Sequence, residues 1–181
     1  MMKKALINID YTNDFVVGAL PCGQPAIDIE DEIVKITKQF IDEGELSVFA
    51  VDLHFEDDTY HPENALYPPH NIDGTEGREL YGQLKKLYNE NKHLDQVIWM
   101  DKTRYSAFAG TDLEIKLRER NIQELHLVGV CTDICVLHTA VDAYNLGFKL
   151  FIYEQATASF NQIGHEWALQ HFKTSMNAVV K

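Results

Sequence analysis

Short, almost continuously apolar runs alternate with longer amphipathic stretches along this chain, and the alternation predicts its fold. "KALINI" (Lys4–Ile9), "LSVFAVDL" (Leu46–Leu53), "VIWM" (Val97–Met100), "ELHLVGV" (Glu124–Val130) and "KLFIY" (Lys149–Tyr153) read as strands buried on both faces. "NAVV" at Asn177–Val180 is a candidate sixth, shorter strand. Between them the spacing turns helical. In "IEDEIVKITKQFIDEG" the residues Ile29, Ile33, Ile36, Phe40 and Ile41 form one stripe, with acids early and Gly44 as a stop. "TDLEIKLRERN" opens on a Thr-Asp cap signal at Thr111, while "DICVLHTAVDAYNLG" and "HEWALQHFKTS" supply two further helices. Strands alternating with helices predict the α/β class: a single domain over residues 1–181, with a mostly parallel sheet of roughly six strands between two helical layers.

In open parallel sheets, ligands bind beyond the carboxyl ends of the strands. The first predicted strand ends at Asp10, the second at Asp52 with His54 just after, and the third at Asp101-Lys102; the fourth runs into "GVCTDIC". All of these gather on one edge of the predicted sheet. The exception to regularity is the long stretch from His54 to Thr75, rich in Asp, His, Pro and Asn, and a loop of that length in a compact domain is functional or disordered. It brings His54, His61, Glu63 and His70 after Asp52. Asp-x-His puts two ligand-type side chains on one side of an extended segment. Mixed imidazole and carboxylate donors suit Zn, Fe or Mn, and the bland alternative is a solvated acidic loop with a His-Pro turn.

Charge narrows the partners. The formal net charge is −12, with 28 acidic against 16 basic residues, and the nearest thing to a basic patch is "KLRER" at Lys116–Arg120. That balance speaks against nucleic acid and for a small-molecule partner. Apolar runs stay far short of the roughly 20 residues a membrane-spanning helix needs, and the first residues do not read as a signal peptide, so a cytoplasmic protein without membrane attachment is expected.

Three cysteines are too few for a disulfide framework. Cys22, in the "LPCGQP" loop, reads as a bystander thiol. Cys131 and Cys135 are spaced C-x₃-C, which fits a metal pair, a disulfide, a nucleophile with a bystander, or two buried small hydrophobes. A helix beginning near Thr132-Asp133 would put Cys135 in its first turn, where backbone N–H groups favour the thiolate over a resting pKa of about 8.5. Lys102 would favour it further, and Asp10 could take and return a proton. His126 and His138, in apolar surroundings, read as packing residues.

With Asp10, Lys102 and Cys135 in that order, the chain resembles the isochorismatase-like cysteine hydrolases, and among them the nicotinamidase (pyrazinamidase) group. The matching stretches are "ALINIDYTNDF", "VDLHFEDDTYHPE", "LYPPHN", "WMDKTRYSAFAGTDL" and "VGVCTDICVLHTAVDAYNLG", which run through most of the chain. The resemblance implies a three-layer, Rossmann-like α/β/α domain and an amidohydrolase of NAD salvage, converting nicotinamide to nicotinate and ammonia through a cysteine thioester, with pyrazinamide a further substrate. It implies Asp10, Lys102 and Cys135 as the catalytic triad. The backbone N–H groups of Cys131 and Cys135 would form the oxyanion hole, with a cis peptide at Val130–Cys131. One divalent metal, Zn ahead of Fe or Mn, would be held by Asp52, His54, His70 and a further ligand, Glu63 with His61 as the fallback. Phe15, Tyr105 and Trp167 would lie near the ring, and relatives are commonly homo-oligomers. The competing readings are a relative acting on another small amide or ureido compound, and a non-catalytic metal- or ligand-binding protein.

Overall fold

The computed structural model describes residues 3–181. Its elements run β1 (Lys3–Ile9), α1 (Asn13–Val16), α2 (Gln24–Asp28), α3 (Glu30–Asp42), β2 (Leu46–Asp52), α4 (Gly82–Asn91), β3 (Val97–Lys102), α5 (Leu113–Glu119), β4 (Ile122–Val130), α6 (Leu137–Asn145), β5 (Lys149–Ala158), α7 (Gln162–Met176) and β6 (Val179–Val180). Two 3₁₀ turns, Pro62–Ala65 and Glu76–Arg78, punctuate the long segment after β2, and a π-helical turn, Thr132–Val136, leads into α6.

The six strands form one sheet in the order β3-β2-β1-β4-β5-β6, and every pairing is parallel. Pairing buries β1 and β2 on both faces, which is why they read as unbroken apolar runs. Alternate side chains feed two cores. Ala5, Ile7, Val48, Leu125 and Leu127 pack with Leu117 of α5, Ala140 of α6 and Phe172 of α7. Leu6, Phe49, Val51 and Val128 pack with Ile33, Ile36 and Phe40 of α3 and with Leu84 and Leu87 of α4. Three layers result.

The sheet corrects several predicted boundaries. β3 carries Asp101 and Lys102 within it, β4 starts at Ile122, and β5 continues to Ala158 after its register against β4 shifts between Leu127 and Gly129. "NAVV" contributes only Val179 and Val180. Helix α4 went unread, because its inward stripe is just Leu84 and Leu87 in a ten-residue, lysine- and asparagine-rich helix.

Strand order reverses between β1 and β4, the place where doubly wound sheets open a crevice. Gly129 makes the approach of these two strands possible. Its φ is +117° and a Cβ there would lie 2.0 Å from the Ile9 carbonyl oxygen, so no other residue fits. Asp10, just past β1, takes a left-handed φ of 54°, which turns its side chain out of the strand direction. Its N–H still donates to Ala50 O at 3.1 Å, holding the turn against β2.

Candidate functional site

Asp10, Lys102 and Cys135 meet at the carboxyl edge, all three buried. Lys102 Nζ lies 2.7 Å from Asp10 Oδ2, 3.4 Å from Asp52 Oδ1 and 3.8 Å from Cys135 Sγ, and donates to Arg104 O at 3.1 Å. Asp10 Oδ1 accepts the Asp52 N–H at 2.8 Å, and the Cys135 thiol lies within electrostatic reach of the Asp10 carboxylate. One ammonium thus serves two carboxylates and faces a thiol.

Burial decides the protonation states. It pushes Asp10 up to about 6 even though Lys102 pulls the other way; the neighbouring Asp52 adds to the rise. Asp52 shares the burial, yet Lys102, the His54 hydrogen bond and the neighbouring His70 imidazole hold it well below the usual carboxylate range. Burial works against the charge on Lys102, but Asp10 and Asp52 outweigh it and keep the ammonium charged. Cys135 goes the other way from the sequence expectation. Burial raises its thiol well above the usual range, Lys102 opposes that, and the Asp10 and Asp52 carboxylates reinforce it. The free protein therefore holds a thiol at Cys135, with its proton facing a carboxylate of pKa about 6. The helix-terminus argument fails because burial of the thiol, reinforced by the Asp10 and Asp52 carboxylates, outweighs it.

Beside the trio, Asp52, His54, Glu63 and His70 offer one ligand atom each, all within 4.8 Å of one another and all buried. His54 Nε2 is 2.8 Å from Asp52 Oδ2; His70 Nε2 is 3.7 Å from Asp52 Oδ2 and 3.5 Å from Glu63 Oε2. The Pro68 carbonyl, 2.8 Å away, takes the His70 Nδ1 proton and so fixes the ring with Nε2 aimed into the cluster. That Nε2 is buried without a hydrogen-bond partner. Burial lowers His70, but Asp52 and Glu63 outweigh it and lift the pKa to about 10. Two carboxylates and two imidazoles crowded around an orphaned nitrogen fit a divalent cation such as Zn, Fe or Mn. His61 stands outside the cluster, its Nε2 2.8 Å from Thr103 O.

Two openings reach these groups. An apolar chamber lined by Phe15, Leu20, Tyr67, Tyr105, Ile134 and Phe160 exposes Cys131, Cys135 and Glu63; its free volume of about 20 Å³ holds little more than one water. A second, more polar cavity of about 130 Å³ reaches His54, Glu63 and His70 from the side of Phe55, Asn64 and Pro69. Glu63 and Tyr67 line both. Phe15 stands at the junction, its ring 5.2 Å from that of His70.

The structure brings together ten of the sequence-chosen residues and leaves one out: Asp10, Phe15, Asp52, His54, Glu63, His70, Lys102, Tyr105, Cys131 and Cys135 converge. Trp167 does not. It is 54% exposed and stacks on His171 at 4.7 Å, because the inward stripe of α7 is Ala168, Leu169, Phe172 and Met176. Its place near the ring chamber goes to Phe160, half-exposed just before α7. Leu20, Tyr67 and Ile134 were missed as well, since Leu20 and Tyr67 stand singly in loops and Ile134 lies in the short π-helical turn, where no periodic face forms. Arg78 was also missed; it donates from Nε to Asp52 O at 2.7 Å and pairs with Asp101, clamping the end of β2. The Val130–Cys131 peptide bond is cis. Cys131 Sγ lies 3.2 Å from Cys22 Sγ, both thiols free, so Cys22 is a packing partner rather than an isolated loop residue. His126 is buried and bonds Tyr153 at 2.9 Å, a packing role. His138 faces outward, tied to Ile134 O at 2.7 Å. Among the described residues, no helix is long and apolar enough to cross a membrane.

Comparison with known proteins adds a second line. The isochorismatase domain family matches residues 4–181. The structure is similar to a crystal structure of nicotinamidase/pyrazinamidase PncA from Bacillus subtilis, at 66% identity and a TM-score of 0.98 over 99% of each chain. It is similar to pyrazinamidase/nicotinamidase from Streptococcus mutans UA159, at 49% identity and a TM-score of 0.96, covering 99% of this chain and 100% of that one. Pyrazinamidase of Pyrococcus horikoshii in complex with zinc matches at 28% identity with a TM-score of 0.87, over 99% of this chain and 98% of that one.

Proposed function

Because the chain belongs to the isochorismatase family, we propose that it is a nicotinamidase: a cysteine amidohydrolase that converts nicotinamide to nicotinate and ammonia, and that also accepts pyrazinamide. The observation that carries this reading is the adjacency of two built sites. A buried thiol with its proton acceptor and ammonium lies next to a buried Asp/His/Glu/His cluster, and Glu63 lines the apolar chamber that opens on the thiol. A flat heteroaromatic amide has an amide carbon for the first and a ring nitrogen for the second. Similarity to the nicotinamidases and pyrazinamidases named above supports the substrate.

Asp10 takes the proton of Cys135 as the thiolate attacks the carboxamide carbon. Its pKa of about 6 suits that role, poised to hold a proton and give it back near neutrality. The oxyanion develops against the backbone N–H groups of Cys131 and Cys135, donors of a kind worth roughly 10²–10³ in rate each. Asp10 then passes the proton to departing ammonia, leaving a thioester on Cys135. Water, deprotonated by Asp10, attacks the thioester carbonyl and expels the Cys135 thiolate, which takes that proton back from Asp10, and the nicotinic acid leaves, ionising to nicotinate. Lys102 stays charged throughout and steadies Asp10 as its charge changes. Asp52, His54, Glu63 and His70 would hold a divalent cation, zinc foremost, which supplies a Lewis acid for the pyridine nitrogen. Phe15 and Tyr105 flank the ring, with Phe160 at the rim of the chamber. On this reading the whole chain works as one domain, in the cytoplasm and in NAD salvage.

The test is ammonia release from nicotinamide by wild type, Cys135→Ala and Cys131→Ala, each with and without EDTA. Activity should vanish in Cys135→Ala, persist largely in Cys131→Ala and fall on chelation. If wild type supplied with Zn, Mn or Fe releases no ammonia, nicotinamide is not the substrate, and other small amides and ureido compounds come next.

A further inference from the structure

We propose that His61 is a positioning residue that holds the Glu63 carboxylate in the cation site and ties that site to the end of β3; this rests on the reading of Asp52, His54, Glu63 and His70 as cation ligands. His61 is buried, its ring 4.1 Å from that of His54, so by type and place it could itself have been a ligand. Its two nitrogens are engaged elsewhere. Thr103 O, 2.8 Å from Nε2, can only accept, so Nε2 carries the proton and donates. The Glu63 N–H donates to Nδ1 at 3.3 Å, so that nitrogen keeps its lone pair and spends it there. With Nε2 donating to Thr103 O and Nδ1 accepting from the Glu63 N–H, the ring has no lone pair left for a cation.

What it does with those bonds follows from the local backbone. The turn Pro62–Ala65 begins with a proline, which has no N–H, so the N–H of Glu63 is the first in need of a partner, and the His61 side chain caps it. The Glu63 carboxylate therefore leaves a backbone pinned two residues upstream. The other end of the same ring is fastened to Thr103, next to Lys102, whose ammonium bonds Arg104 O at 3.1 Å. One imidazole links the loop bearing Glu63 to the strand end bearing the catalytic ammonium.

The experiment measures Zn²⁺ affinity by chelator competition on the metal-stripped full-length protein, for wild type, His61→Phe, His61→Asn, Glu63→Gln and the His61→Phe/Glu63→Gln double variant. His61→Phe keeps a ring against His54 and loses both hydrogen bonds; it should weaken binding by about 10–100-fold, the usual cost of losing a group that orients a ligand. His61→Asn can still cap the Glu63 N–H but cannot reach Thr103, so its loss should be smaller. In the Glu63→Gln background, His61→Phe should cost no more than about twofold, because the carboxylate it positions is gone. Wild-type affinity in His61→Phe would overturn the proposal. So would an equal loss in both backgrounds, the result expected of a direct ligand or of a generally loosened fold. If His61→Phe does not fold, His61→Asn completes the same cycle. A wild type that takes up no Zn²⁺ sinks the cation reading itself, a result distinct from either of these.

Discussion

Asp10, Lys102 and Cys135 leave strand ends and a helical turn that the sheet itself fixes, whereas Glu63 and His70 ride on a long segment secured by individual side chains. The first group is held by register: Asp52 pairs with Lys102 across β2 and β3, and β1 lies between β2 and β4. The second depends on single bonds such as Pro68 O to His70 and Thr103 O to His61. Sheet-borne groups stand where buried charges need exact mutual compensation; loop-borne groups stand where a ligand must be gripped. The two regions should therefore fail differently when altered.

The largest contrast is between their central residues. Cys135→Ala should cost about 10⁴-fold or more in kcat, since the proposed mechanism makes its thiol the nucleophile, while Zn²⁺ affinity stays within about twofold of wild type. Steady-state rates and chelator titration measure the two separately. Glu63→Gln should do the reverse, weakening metal affinity by about 10–100-fold and recovering activity in excess metal. If Glu63→Gln stays inactive at saturating metal, the division between the regions is wrong.

Protons sharpen the comparison. Asp10 must be a carboxylate to accept the thiol proton, and its pKa is raised to about 6. Hence kcat/KM should hold above that value and fall about tenfold per pH unit below it. At the other region His70, with its pKa lifted to about 10, is protonated at neutral pH without metal. A cation must displace that proton, so binding at pH 7 should release about one proton per metal, and affinity should rise with pH up to the pKa. Calorimetry in buffers of different ionisation enthalpy measures the count; no release would mean His70 is not a ligand. The smallest effect is expected at Trp167→Ala, less than about twofold in KM, because that exposed ring stacks only on His171.

How much of this could be read from residues alone follows the same division. Strand ends are legible because a buried parallel strand is an apolar run, and the polar residue that ends it is conspicuous. That puts Asp10, Asp52 and Lys102 on one edge of the sheet from the residue pattern alone. The loop was legible only as a set of ligand types. Whether Glu63 or His61 points inward depends on one carbonyl, Thr103 O, forty-two residues away from His61, and on a cap at Pro62, neither visible as a pattern. The chamber wall was hardest, since Leu20, Ile134 and Phe160 belong to no periodic face. Trp167 was misassigned because an aromatic residue on a C-terminal helix looks like a wall until the helix's inward stripe is known. The Cys135 thiol was misjudged because desolvation, unlike proximity to Lys102, has no local signature in the chain.

Gly129 has no side chain to titrate and lines neither opening, yet it is where any Cβ would lie 2.0 Å from the Ile9 carbonyl oxygen of the neighbouring strand. Seen as heredity rather than catalysis, that makes it a silent essential position. Every amino-acid substitution there would read, in a survey of variants, like damage to Cys135 further along the chain. A loss-of-function map of this gene would mark residue 129 as part of the active site, and what it would be recording is the clearance between two strands.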